Sequence, residues 1–291
     1  MLDRASSLQD PVVLKYLATR FVPAAVDQHI HRTLKDAEGE LFARVLKQAG
    51  RGLGGTSQGN YLFTPDGKLL AFANTADAAH VRRLMETALK KFDPATAPAV
   101  EAGPKAALPQ FEPPAGGLVL DVTSKVLGGY EKGGNRAMRD AVGRDHLWLR
   151  KDEAEALARG ELPESVKQRL ARFHLIDNTR GEPPLWRPDE VKRLELTLKD
   201  GRLSGSVHLE TKAGNRGYQA DLLGVVEVNA GRVTRLDLVA KGAYWGEGNF
   251  TRGAPPGRFP FAVAFTLSPG TSAADRVLPG AARSNLKGYL R

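Results

Sequence analysis

VKRLELTLKDGRLSGSVHLE, residues 191–210, alternates apolar and polar side chains on both sides of Asp200-Gly201. A period of two marks a half-buried strand, and Asp-Gly between two such runs marks a tight hairpin turn. The pattern continues downstream, so strands are expected at 192–199, 203–211, 217–229, 232–244 and 258–267, with Ala230-Gly231 as a second tight turn. Long strands in unbroken succession imply an antiparallel meander, curved around helices or covered by them.

Upstream of this run the periodicity changes. GLVLDVTS, residues 117–124, opens a strand expected over 118–127, followed by a glycine-rich turn and a short helix over 135–142. A helix over 152–159 stops at Gly160, and Pro163 starts another that runs to about Phe173 with Val166, Leu170 and Phe173 inward. Residues 118–291 therefore read as one α+β domain with an antiparallel sheet. A cone-shaped sheet of the NTF2-like kind and a lipocalin-like half-barrel both suit the pattern, and no motif selects between them. Before it lies DPATAPAVEAGPKAALPQFEPPAGG, whose repeated proline and alanine disfavour helix and sheet, so 94–117 is expected to be an extended linker.

Residues 1–93 form a separate expectation. Val12–Thr19 is helical in pattern, and Phe21–Val26 is an apolar, β-compatible run that Pro23 assigns to an edge or a bulge. Asp36 caps a helix to Gln48 with Leu41, Phe42, Val45 and Leu46 on one face, and Gly50 ends it. Asn60–Thr64 and Lys68–Ala73 flank Pro65-Asp66-Gly67 as a hairpin, and a final helix starts near Asp77.

GTSQGNYLFTPDGKLLAF, Gly55–Phe72, resembles the hairpin region of the thioredoxin superfamily. The resemblance implies a βαββα order and an α/β N-terminal part. It also implies a cis-proline just before the hairpin, facing redox cysteines, but Gly59 stands at that position and the chain has no cysteine. The family's thiol chemistry therefore does not carry over. The fold would also need a central strand before residue 21, and Leu118–Val122, inserted beside Phe21–Val26, is the expected substitute.

Composition narrows the rest. The sequence has no apolar run of the ~18 residues needed to span a bilayer. MLDRASSLQDP lacks a secretory apolar core, so the chain is expected to be cytoplasmic or the trimmed product of an exported precursor. The net charge is +9, with 9 basic and 3 acidic side chains over 232–291, an excess that could draw an anionic partner. Phe259, Phe261 and Phe265 alternate as a buried strand face does, which disfavours a nucleic-acid surface.

HLIDNTRGEPPLW, residues 174–186, is the densest functional-looking group. His174 with Asp177 would make an acid–base pair, with Asn178, Arg180 and Glu182 holding an anionic ligand. The competing reading is a rigid loop in which Asp177 and Asn178 cap backbone groups and Arg180 pairs with Glu182. Tyr244, Trp245 and Glu247, in GAYWGEG, would line a pocket mouth or plug a hairpin loop. His29 and His31 on an extended segment would be half a metal site, against the simpler reading of solvated histidines. The glycines of 128–134 stand between a strand and a helix without a phosphate-loop lysine. No cofactor is identified. The leading expectation is a protein that binds an unidentified small molecule or protein partner without redox chemistry. The alternatives are a hydrolase or lyase using His174, Asp177 and Arg180, and a structural interaction protein.

Overall fold

The computed structural model describes residues 7–8, 10–95, 111–131, 136–270 and 272–291. The chain divides into two compact units that part at residues 109–110. Most of the expected linker, 96–110, lies outside the described residues. Among those described, no helix is long and apolar enough to cross a membrane.

The N-terminal unit is built from helices and one hairpin. The Asp10 carboxylate accepts from the N–H groups of Val12 and Val13 and starts α1, Pro11–Thr19. A single turn, α2, covers Gln28–His31, and Asp36 caps α3, Ala37–Gln48. Strands β1, Asn60–Phe63, and β2, Leu69–Ala73, pair antiparallel around Pro65-Asp66-Gly67, where Gly67 has φ +85°. The Gln48 side chain ties α3 to this turn, donating to the Gly67 carbonyl at 2.7 Å and accepting from Leu69 N–H at 2.9 Å. Helix α4, Ala78–Lys91, is capped by Asp77 and lays Val81, Leu84, Met85 and Ala88 against Val13, Leu62 and Leu70.

Phe21–Val26 forms no strand. Phe21 packs against the small core, but Val22 to Val26 are exposed, Val22 at 97%. An isolated extended run leaves its backbone groups to water, and Pro23 removes one donor outright. The expected partner is also committed elsewhere. Strand β3, Leu118–Val126, carries β4, Gly143–Leu149, on one edge and β9, Arg258–Leu267, on the other.

The C-terminal unit is α+β. Its seven strands are antiparallel throughout, in the order β4-β3-β9-β8-β7-β6-β5, and the sheet does not close. Strands β5, Val191–Lys199, β6, Arg202–Glu210, β7, Gly217–Asn229, and β8, Arg232–Trp245, form the meander with β9, as the alternation implies. Both tight turns have two successive left-handed residues, Asp200 and Gly201 at φ +49° and +72°, Ala230 and Gly231 at +48° and +72°. That twist matches the flanking strands. Strand β4 was not expected, and it extends the meander at the β3 edge.

Helix α5 is short, Arg136–Asp140. Helices α6, Lys151–Ala158, and α7, Glu164–Arg169, supply the apolar side chains that meet the inner face of the sheet. Leu157 and Leu170 meet Leu120, Leu147, Leu196 and Leu238 around a residual void of about 20 Å³, too small and too apolar to hold a ligand. Helix α7 runs into a π turn, Leu170–His174, closed by Leu175 N–H to the Leu170 carbonyl at 3.1 Å. After β9 the chain returns over β4 as short turns ending in α8, Leu286–Tyr289.

Candidate functional site

The π turn delivers His174 into the protein interior, where its ring has no solvent exposure. Nδ1 lies 3.1 Å from Asp145 Oδ2, out of line for a good hydrogen bond. Nε2 lies 2.8 Å from the Tyr289 hydroxyl, which also accepts a long bond from Trp148 N–H. Burial works against the Asp145 charge. The His174 ring and the N–H groups of Gly280 and His146 outweigh it, and its pKa falls below the ordinary aspartate value. Burial, reinforced by the Asp145 charge, pushes the Tyr289 phenol well above its ordinary pKa.

His174 therefore does not pair with Asp177. Sequence proximity suggested that pair, but the π turn brings the imidazole to Asp145 of β4. Asp177 instead takes Arg180, whose Nε and Nη2 donate to Oδ2 at 3.0 and 2.7 Å. Thr179 supplies N–H and hydroxyl donors to Oδ1 at 3.0 and 2.6 Å. Arg180 also donates from Nη1 to the Thr251 carbonyl, and Glu247 Oε1 lies 3.8 Å from Nη1. That carboxylate oxygen caps the N–H groups of Gly253 and Ala254, both at 2.6 Å. Asp177, Arg180 and Glu247 thus converge, as one knot joining two loops. The Tyr130 hydroxyl, buried beside it with no hydrogen bond among the described residues, is pushed up to about 12 by burial against the opposing Arg180 charge.

Glu182 does not pair with Arg180, because the guanidinium is consumed inside. It meets Arg283 at 2.8 Å on the surface. Asn178 accepts from the Ser124 hydroxyl, in space left by Gly143, where any side chain would collide with both groups. Tyr244 and Trp245 line no pocket mouth. Tyr244 is 1% exposed among Trp186, Tyr218, Phe259 and Phe261, and burial pushes its phenol up to about 12. Trp245 donates to the Gly214 carbonyl at 3.0 Å under the Arg258 guanidinium.

His31 is buried in a helical turn rather than an extended segment. Its Nδ1 faces the Asp27 carbonyl at 2.8 Å and its Nε2 faces Glu38 at 2.7 Å. The side chain of His29 lies outside the described residues, as does part of the glycine loop, 132–135. At Gly59 the backbone has φ +149°, a conformation closed to proline.

Several buried polar residues escape sequence reading altogether. Arg169 and Glu153 face each other in parallel bonds of 2.8 and 3.0 Å, and Arg169 also holds the carbonyls of Tyr289 at 2.8 Å and Leu290 at 3.0 Å. Asp145 and Tyr289 reach His174 from remote elements, so no local motif could have marked them.

The solvent-facing side of the sheet differs from these closed networks. A shallow trough of about 540 Å³ crosses β5 to β8, with Arg193, Ser206, His208, Gln219, Asp221 and Lys241 around it. His208 is paired with Glu210 at 2.9 Å. Arg193 and Lys241 have no ion-pair partner among the described residues. No protein-family model, curated protein or solved structure matches the chain.

Proposed function

We propose that this protein binds a polar, anionic ligand or partner across the open face of its sheet and performs no thiol chemistry. One observation carries the reading. The side chains best suited to catalysis are buried and occupied by one another, while Arg193 and Lys241 stand exposed at the trough with no ion-pair partner among the described residues. An acid–base catalyst must reach its substrate, and a ring with no exposure whose Nε2 faces the Tyr289 hydroxyl at 2.8 Å offers no such approach. The hydrolase or lyase alternative loses its central pair for that reason.

The N-terminal unit enters the proposal as a cysteine-free, thioredoxin-like docking scaffold. Its helix, antiparallel hairpin and following helix are in the order that the resemblance implies, and this supports the reading. A panel of small polyanions (citrate, a sugar phosphate and tripolyphosphate) tests the binding proposal by calorimetry against the wild type and Arg193→Glu/Lys241→Glu. Saturable binding by the wild type that the double variant loses is the expected result. Equal binding by both proteins, or none by either, counts against the trough.

A further inference from the structure

We infer that Asp121, His146 and Asp275 form a divalent-cation site of the zinc class. The three come from β3, β4 and the turn after β9, and their candidate ligand atoms lie within 4.8 Å of one another. Ligands sharing one zinc ion stand about 3–4 Å apart, so a small side-chain adjustment closes the set. Two of the three are fixed by the sheet itself, since Asp121 and His146 are directly opposed in the β3–β4 ladder.

Two further features of these residues suit a cation. The first is the tautomer of His146. Its Nδ1 faces the Val277 carbonyl at 3.2 Å, and a carbonyl can only accept, so Nδ1 carries a proton. Nε2, on the opposite side of the ring, lies 3.3 Å from Asp121 Oδ1. An N–H bonded to a backbone carbonyl is the usual way of aiming the opposite nitrogen of a metal-ligating histidine.

The second is Asp275. It is 5% exposed, and its carboxylate accepts from Ser268 Oγ at 2.7 Å and Ser272 N–H at 3.3 Å. Among the described residues no lysine or arginine lies within ion-pair distance of it. Hydrogen bonds orient such a group but do not neutralise it, and a buried charge calls for a counter-charge or a metal. One imidazole and two carboxylates suit zinc and its first-row neighbours, with further coordination positions left open on the Asp121 side, where the cluster meets solvent.

Untagged protein stripped with chelator is titrated with Zn2+ by calorimetry and with Co2+ by visible absorption. The site predicts one saturable equivalent, a Co2+ d–d spectrum, and affinity reduced about tenfold or more in Asp121→Asn, His146→Gln and Asp275→Asn. Asp121 is exposed, so its variant stays folded if the buried Asp275→Asn does not, and circular dichroism checks each. Absence of saturable binding by the wild type would overturn the assignment. Binding that survives both Asp121→Asn and His146→Gln places the metal elsewhere and overturns the assignment equally.

Discussion

Arg180 is the residue on which two loops of the C-terminal unit depend. Its guanidinium is 1% exposed, fork-bonded to an equally buried Asp177, and fastened to the Thr251 carbonyl of the opposite loop. Cutting it back to methionine preserves bulk but strands a buried carboxylate. Breaking a buried pair from one side costs about 3–5 kcal/mol. Arg180→Met should therefore lower the urea midpoint steeply with the m-value unchanged. Arg180→Lys should rescue little, because an ammonium cannot reproduce the planar fork. The double variant Asp177→Asn/Arg180→Met should recover part of the loss, since the uncompensated charge is then gone. Additive losses in that cycle would mean that the pair is not coupled and that the structural role assigned to the loop is wrong.

At the scale of the element, the tight turns give the sharpest test. Ala230 sits at φ +48°, a left-handed conformation that costs an alanine about 1 kcal/mol and suits asparagine or glycine better. Ala230→Asn should stabilise the C-terminal unit by about 0.5–1 kcal/mol, read as a higher urea midpoint. The turn joins β7 to β8, so a loss of stability would show that the strand register is not held there. These same turns explain why the meander was legible in the sequence. Each strand had its own alternation, and the β5–β6 and β7–β8 hairpins had their own two-residue signal, so little long-range information was required. Strand β4 lacked both. GRDHLWL begins polar, ends in an apolar run and has no hairpin turn to β3, so only the free edge of β3 makes it a strand. Phe21–Val26 is the converse case, an apolar run that pairs with neither sheet and stays exposed from Val22 to Val26. The candidate site divides along the same line. Asp177, Arg180 and Glu247 were legible as special residues. His174's true partners were not, because Asp145 and Tyr289 arrive through the ladder and through the returning C-terminal segment.

For the whole molecule, the two cores share no residue. The larger is assembled from residues 111–290 and the smaller from residues 13–92. A unit that holds its complete apolar core should fold when the rest is removed. The larger unit also holds the acid-sensitive groups. Burial works against the Glu153 charge, but bonds from Arg169, Ser165 and the Arg150 N–H overcome it and leave its pKa below the ordinary glutamate value, as happens for Asp145. Both groups titrate lower in the folded state than in the unfolded chain. Their stabilisation is thus complete above the unfolded carboxylate values and is lost as pH falls through the folded ones. A fragment of residues 111–291 should therefore show a cooperative thermal transition at the same temperature as one transition of the full chain. In both proteins that transition should hold steady from neutral pH to about pH 5 and drop below about pH 4. Glu153→Gln should soften the drop while lowering stability at neutral pH, because Arg169 then loses its counter-charge. A fragment that melts without cooperativity would show that the larger core is incomplete without the N-terminal unit. An acid limb unchanged by Glu153→Gln would remove the buried Glu153–Arg169 pair as its cause.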